Sequence, residues 1–542
     1  MQTLDTLDWV VIAIYFTLLF GVAIWVILQK TANTEDYFLA GRNIGWFVVG
    51  SSIFASNIGS EHVVGLAGTG AAGKFPLIIY ELHAWLVLMM GWVFLPFYAR
   101  SGVFTMPEFL EKRFDARARG FLSIISLIAY VITKVSVTIY AGGIVVAALL
   151  GIEFWTGALA TVILTGLYTV LGGMRAVVYT ETIQTMVLVI GAGTLTFMGL
   201  DAVGGWNSMR DELGPEFFNM WKSASDPEFP WPSLFITSTV VGIWYWCTDQ
   251  YIVQRALAAK SLKEGRRGTI FGAFLKLMPV FLFLIPGVVA LVLKQRGELQ
   301  WETSDQAFAA LMTSILPSGM RGLVAAGLLA ALMSSLASVF NSCSTLFTMD
   351  IYKKRHPGAT EKQLVRTGQI ATFVVVLAGI IWIPIMSNIS GVLYEYLQSV
   401  QAYIAPPITA VFLLGIFIPR INSKGAYATL VGGFLLGFIR IALEVLSKNG
   451  TIEPGNFFYN LGMMNFLHFG VISLVVSLGT AIVVSLFSPA PSAEQLAGLT
   501  FHTLSQKQIS ENKNSYNWVD IVTSLFVLFI VVGVMIYFNG KP

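Results

Sequence analysis

The chain has 542 residues, of which 56% are apolar and only 12% charged, and its mean hydropathy is +0.73. Soluble domains carry roughly twice that share of charge, ~25%. This balance excludes a disordered chain, a collagen-like repeat and a disulfide scaffold, and a net charge of +3 spread over short loops excludes a nucleic-acid binder. What remains is a protein that crosses a bilayer many times.

About 20 apolar residues suffice to cross ~30 Å of hydrocarbon. In chain order such stretches fall near 8–29, 44–68, 75–99, 121–150, 154–172, 178–203 and 233–256. They continue near 267–294, 306–346, 366–388, 391–418, 424–446, 461–488 and 517–539. The stretch 306–346 reads as a short surface helix followed by a span starting near Met320. The sequence therefore predicts an all-α fold with about fourteen transmembrane helices. The first basic residue is Lys30, so no cleaved signal peptide is expected and the first run stays as a helix. Cys247 and Cys343 both sit in apolar segments, with neither a disulfide framework nor zinc spacing.

Lys and Arg set the orientation, because cytoplasmic loops collect positive charge. With the N-terminus outside, 22 of the 33 basic residues fall in inside segments and 8 in outside ones. Both termini are thus expected outside a cell membrane. The longest loop, 204–232, is rich in Trp, Pro, Gly and acid and reads as a cap on the helices, while 489–516 reads as a cytoplasmic linker. No loop is long enough for a soluble enzyme domain, so function is expected inside the helical bundle and no enzymatic activity is expected.

Polar groups in hydrocarbon are costly unless they meet a partner or a wet cavity. The first intramembrane cluster is Ser56-Asn57-Ile58-Gly59-Ser60-Glu61-His62, in the second span. It reads as a broken helix whose freed carbonyls and amides point into a cavity, or as a polar helix packed tightly through small residues. The second cluster, Trp244-Tyr245-Trp246-Cys247-Thr248-Asp249-Gln250, lies in the seventh span, five helices later. That spacing suits two inverted repeats of five helices with interrupted segments at matching positions; an interfacial aromatic belt is the other reading.

The third cluster places Ala331, Ser334, Ser335, Ser338 and Ser342 on one stripe of a helix. A small-residue stripe admits a close helix neighbour, and its hydroxyls also supply oxygens suited to a hard monovalent cation. Carbonyls released at Ala55 and Ile58 would complete such a shell. Glu81 and Lys276 each sit within a span and need a partner, either each other or a polar solute in a wet cavity. Gln398, near the centre of the eleventh span, both donates and accepts. Lys134 and Arg440 read as near helix ends or snorkelling, with no role.

Phe54–His62, Trp244–Gln250 and the runs Met333-Ser-Ser-Leu and Phe347-Thr-Met-Asp-Ile-Tyr352 together resemble the sodium/glucose cotransporters of the sodium:solute symporter family. The resemblance spans about residues 36–488 and implies a LeuT-type core of two inverted five-helix repeats with broken helices near 55–62 and 243–250. The implied domains are a first peripheral helix and loop (1–43), repeat one (44–203), an outer loop (204–232), repeat two (233–418) and peripheral C-terminal helices (419–542). It also implies inward sodium flow coupled to uptake of a hexose by alternating access, with sodium, sugar and the lipid bilayer as partners.

The family's sugar pocket maps to Asn57, His62, Glu81, Tyr245, Trp246, Lys276 and Gln398, its outer gate to Tyr80 and its inner gate to Tyr245. Its sodium site maps to the carbonyls of Ala55, Ile58 and Ala331 with the hydroxyls of Ser334 and Ser335. Gly242 stands where sugar-binding relatives carry Asn or Thr. Glu181 replaces an Asp associated with ion exit or a second ion, and Ala337 lacks the hydroxyl of members that bind two sodium ions, which implies one ion per sugar. The rival readings are a symporter for myo-inositol, an amino acid or a vitamin, and a membrane sugar sensor or channel. No charge ring, nucleophile motif or His-Glu-x-x-His supports a channel or an enzyme.

Overall fold

The computed structural model describes residues 4–29, 33–59, 61–150, 153–386 and 393–541. Lys30, Ser60 and the ends of the expected spans at 387–388 and 391–392 lie outside the described residues. The described chain is helical, and its sole β feature is an isolated bridge between Ile44 and Ala259.

The helices that matter here are α1 (Thr6–Ile27), α2 (Trp46–Asn57), α3 (Phe75–Ser101), α4 (Ala116–Gly143), α5 (Phe154–Ala202), α6 (Trp231–Gly242) and α7 (Gln250–Leu257). They continue as α8 (Leu262–Gln295), α9 (Met320–Arg355), α10 (Glu361–Met386), α11 (Leu393–Phe417), α12 (Ser423–Lys448), α13 (Phe466–Leu486) and α14 (Trp518–Tyr537). Among the described residues, 11 helices are long and apolar enough to cross a membrane. Two expected spans, 44–68 and 233–256, are absent from that set because they are interrupted. The expected spans 154–172 and 178–203 run together as the 49-residue α5. A straight helix of that length would be ~74 Å, more than twice the hydrocarbon thickness. Its helical course breaks at Gly173, whose φ of 56° and ψ of −156° suit only glycine and whose Cα faces the Tyr37 carbonyl.

Burial separates core from periphery. Of the most apolar stretch of α9, 94% is buried, against 22% for α14 and 28% for α1. Interior helices therefore meet protein all round, while the outer ones present one face to lipid. α5 packs on α9 along much of its length, and α2 lies against α8. The N-terminal helix is anchored by a charge: Asp8 Oδ1 accepts the Gly319 and Gly322 N–H groups at 2.6 and 2.7 Å, at the start of α9. The expected loop 204–232 reaches the last helix and the start of α3. Its Phe218 packs on Phe75 and Phe538, and the Met220 N–H donates to the Phe538 carbonyl at 3.1 Å.

Both interrupted spans break where the sequence turns polar. α2 ends at Asn57, Ile58 is extended at φ −85° and ψ 102°, and the chain resumes as a wide π-helical turn, Glu61–Leu66, running into Ala67–Ala71. α6 continues as a second π turn, Ile243–Thr248, then breaks at Asp249, whose extended backbone and side chain cap α7 through the Tyr251 N–H. The half-helix after the first break is drawn onto α8 by small residues. A Cβ on Gly287 would lie 1.9 Å from the Ala67 carbonyl oxygen, so the two backbones meet there. Gly287→Ala is expected to cost about 1–3 kcal/mol through overpacking, read as a lowered melting temperature of the detergent-solubilised protein.

Candidate functional site: a buried polar cavity beside the first helix break

All seven residues assigned to a solute pocket line one tight cavity of about 30 Å³. Asn57 ends α2, and His62 stands on the turn after the break. Glu81 follows the tight turn Phe75–Tyr80, and Tyr245 and Trp246 sit on the second π turn. Lys276 comes from α8 and Gln398 from α11. Two broken helices thus supply one wall and three continuous ones the other. Tyr80 also lines this cavity.

Glu81 and Lys276 are buried, and their side chains meet at 2.5 Å. The Lys276 ammonium also donates to Asn57 Oδ1 at 3.0 Å, and the Tyr394 hydroxyl donates to the other Glu81 oxygen at 2.5 Å. Asn57 Nδ2 donates in turn to the Tyr245 hydroxyl at 3.3 Å. His62 Nδ1 accepts from the Gly59 N–H at 3.4 Å, and its Nε2 stands 3.6 Å from Glu81. Of the two readings of Glu81 and Lys276, the mutual bridge is present, and the bridged pair also lines the cavity. Trp246 offers its ring face to the Lys276 ammonium at 5.4 Å.

Several polar atoms around this cavity have no hydrogen-bond partner among the described residues: the Tyr80 hydroxyl, His83 Nε2 and Gln398 Oε1. Buried polar atoms left unpaired cost ~1–3 kcal/mol each.

The cation-site candidates stand at the same break. The Ser334 hydroxyl lies 2.9 Å from the Ala55 carbonyl and 3.0 Å from that of Ala331. Ile58 is the extended residue ending α2. The Ser335 hydroxyl instead meets the Ser56 carbonyl at 3.4 Å. Beyond them Glu181 of α5, fully buried, accepts hydrogen bonds from the Ser52, Ser56 and Ser338 hydroxyls, with the Arg255 guanidinium at 3.5 Å.

The structure corrects one reading. Lys134 neither snorkels nor ends a helix: it is buried and lines the cavity. Its position well inside the apolar run 121–150 was the available signal. Arg440 is likewise buried, held by Glu444 at 3.0 Å and the Met464 carbonyl at 2.8 Å. Tyr394, His83 and Gln401 also line the cavity without having been singled out. Tyr394 lies one helical turn before Gln398 and so on the same face, which is the signal that would have found it.

At one end of the bundle Lys74 joins three segments. Its ammonium meets Glu228 of the capping loop at 2.8 Å and Glu395 of α11 at 2.6 Å, one residue from Tyr394. Within the cavity, Lys276→Met strands the buried Glu81 carboxylate and is expected to cost about 3–5 kcal/mol. The double variant Lys276→Met/Glu81→Gln is expected to recover part of that loss, and thermal unfolding of the four proteins of this cycle measures the difference.

Known proteins similar to this chain are sodium-coupled transporters. Sodium/glucose cotransporter 1 of Oryctolagus cuniculus is 40% identical over 522 residues, covering 89% of this chain and 79% of that one. Sodium/myo-inositol cotransporter 2 of Mus musculus is 37% identical over 537 residues, covering 93% and 80%. A Na+-coupled sialic acid symporter, solved in a substrate-bound outward-open state, superposes with a TM-score of 0.77 at 24% identity over 90% of this chain and 99% of that one, a likeness of fold. A sequence model of the sodium:solute symporter family matches residues 37–433, which hold both helix breaks and the whole cavity wall; this chain, with its LeuT-type bundle, belongs to that family of sodium-coupled membrane transporters.

Proposed function

We propose that the chain couples inward sodium flow to uptake of a neutral hexose by alternating access. The observation that carries this reading is the convergence of Asn57, His62, Glu81, Tyr245, Trp246, Lys276 and Gln398 on one buried cavity. An amide, a carboxylate, an ammonium and an imidazole together satisfy hydroxyls that donate and accept, and an indole covers the C–H face of a pyranose. A pocket made this way rejects solutes lacking the hydroxyls, because its own polar groups then stay unpaired.

Sodium is held by the carbonyls of Ala55, Ile58 and Ala331 and the hydroxyls of Ser334 and Ser335, one ion per sugar, with Glu181 on its way out. These ligands come from both sides of the contact between α2 and α9, so the ion fixes the unwound stretch that also presents Asn57 and His62. Sodium and sugar therefore raise each other's affinity by the same factor. Tyr80 closes the pocket on the outer side and Tyr245 on the inner. One helix bundle rocks against the scaffold formed by the other helices around this fixed centre, with both termini outside the cell membrane. A potential of ~100 mV supplies ~2.3 kcal/mol per charge and a tenfold sodium gradient ~1.4 kcal/mol, enough for roughly 500-fold accumulation.

A myo-inositol substrate is the second reading, favoured by the relative named for that polyol. Proteoliposomes under an inward sodium gradient, offered labelled glucose, galactose and myo-inositol, test both. Accumulation of a hexose that collapses without sodium is expected. Ser334→Ala, which removes the hydroxyl between the Ala55 and Ala331 carbonyls, is expected to raise the sodium concentration for half-maximal uptake by roughly tenfold or more. Uptake indifferent to sodium would refute the coupling, and preference for myo-inositol would exchange the substrate.

A further inference from the structure

The cavity contains two ammonium–carboxylate pairs, and they differ in kind. In the first, Lys276 is committed: it donates to Glu81 at 2.5 Å and to Asn57 at 3.0 Å, and both Glu81 oxygens are hydrogen-bonded. In the second, Lys134 stands 3.6 Å from Glu61, beyond hydrogen-bond length. Neither Glu61 oxygen has a hydrogen-bond partner among the described residues, although the side chain is fully buried. The Lys134 ammonium is instead flanked by ring faces, 4.7 Å from the Tyr245 centroid and 5.3 Å from that of Tyr251. It is charge-compensated and cushioned, and among the described residues no hydrogen bond takes up its three N–H donors.

Its setting matches that of the assigned pocket residues. Lys134 lies on a π turn, Tyr130–Val135, as His62 lies on Glu61–Leu66 and Tyr245 and Trp246 on Ile243–Thr248. Such turns re-aim side chains within a helix and gather at functional sites. Lys134 lines the cavity and Glu61 stands behind it, folded over Gly59 so closely that a Cβ there would lie 2.0 Å from a carboxylate oxygen. Glu61 is therefore held against the helix break. With Glu61 behind it and Glu81 beside Lys276, each ammonium at the cavity has a carboxylate near it, which suits a neutral guest.

Resting on the functional reading above, we propose that Lys134 contacts the substrate, donating to a hydroxyl oxygen of the bound polyol, and that Glu61 is a positioning residue that neutralises this ammonium and holds it at the cavity wall. The pocket then has one ammonium that shapes it, Lys276, and one that reads the solute, Lys134.

The test uses the full chain in proteoliposomes with a sodium gradient, labelled glucose, and a set of glucose analogues each lacking one hydroxyl as competitors. Lys134→Met is expected to raise the glucose KM by roughly ten- to hundredfold. One deoxy analogue, the one missing the oxygen that Lys134 meets, is expected to compete equally well in wild type and variant. Lys134→Met/Glu61→Gln removes both charges and so keeps the buried balance; it is expected to restore thermal stability lost in the single variant while keeping the same analogue-specific loss. Glu61→Gln alone is expected to weaken glucose while preserving the rank order of the analogues. If the double variant regains the wild-type KM, or every analogue is penalised alike in wild type and variant, Lys134 is a structural charge only and the proposal falls. Failure of the wild-type protein to take up any hexose or inositol would instead overturn the functional reading on which it rests.

Discussion

The demand that hydrocarbon places on every charge and every backbone amide governs this structure. Lys276 and Glu81, buried in adjoining helices, are tolerable only as a pair, and their pairing fixes α8 against the segment after Tyr80. Asn57 completes that arrangement from the end of α2, so the same contact stabilises the point where the helix stops. A chain break deep in a bundle exposes carbonyls and amides that water would ordinarily satisfy. Here side chains from several helices take over that task, and the space they enclose is left polar.

The residues proposed to face the sugar and the cation consequently share one short stretch of backbone. Ala55 contributes a carbonyl to the Ser334 hydroxyl, and Asn57, two residues on, contributes its amide to the cavity. Tyr251, just beyond the second break, donates to the Ser56 carbonyl and so ties one interruption to the other. No long relay is needed for two ligands to influence each other when both bear on the same few peptide units.

Much of this was legible in the sequence, and the missing part follows a pattern. Apolar run length marked the helices, and polar residues inside those runs marked both breaks and the serine stripe, because each is a local property of the chain. Gly173 was less visible: the gap between the apolar runs 154–172 and 178–203 suggested a loop, whereas the helix kinks at one glycine of positive φ without a loop. Lys134 escaped because its partner Glu61 lies 73 positions away in the chain and because a lone lysine in an apolar helix reads as a snorkelling one. Tyr394 and His83 escaped for a related reason. Their residue types are unremarkable in membrane helices, and only the packing of α11 and α3 around the cavity shows which face they occupy.

Lys74, bridging Glu228 and Glu395, is partly exposed at one end of the bundle, and on the orientation proposed here it faces the outer medium. Charges placed there feel dissolved ions, with a Debye length near 8 Å at 0.15 M and near 3 Å at 1 M. On the function proposed here, the sodium outside that drives uptake would thus also screen this partly exposed link between the capping loop and α11, so the ion's concentration bears on the fold's outer rim as well as on transport.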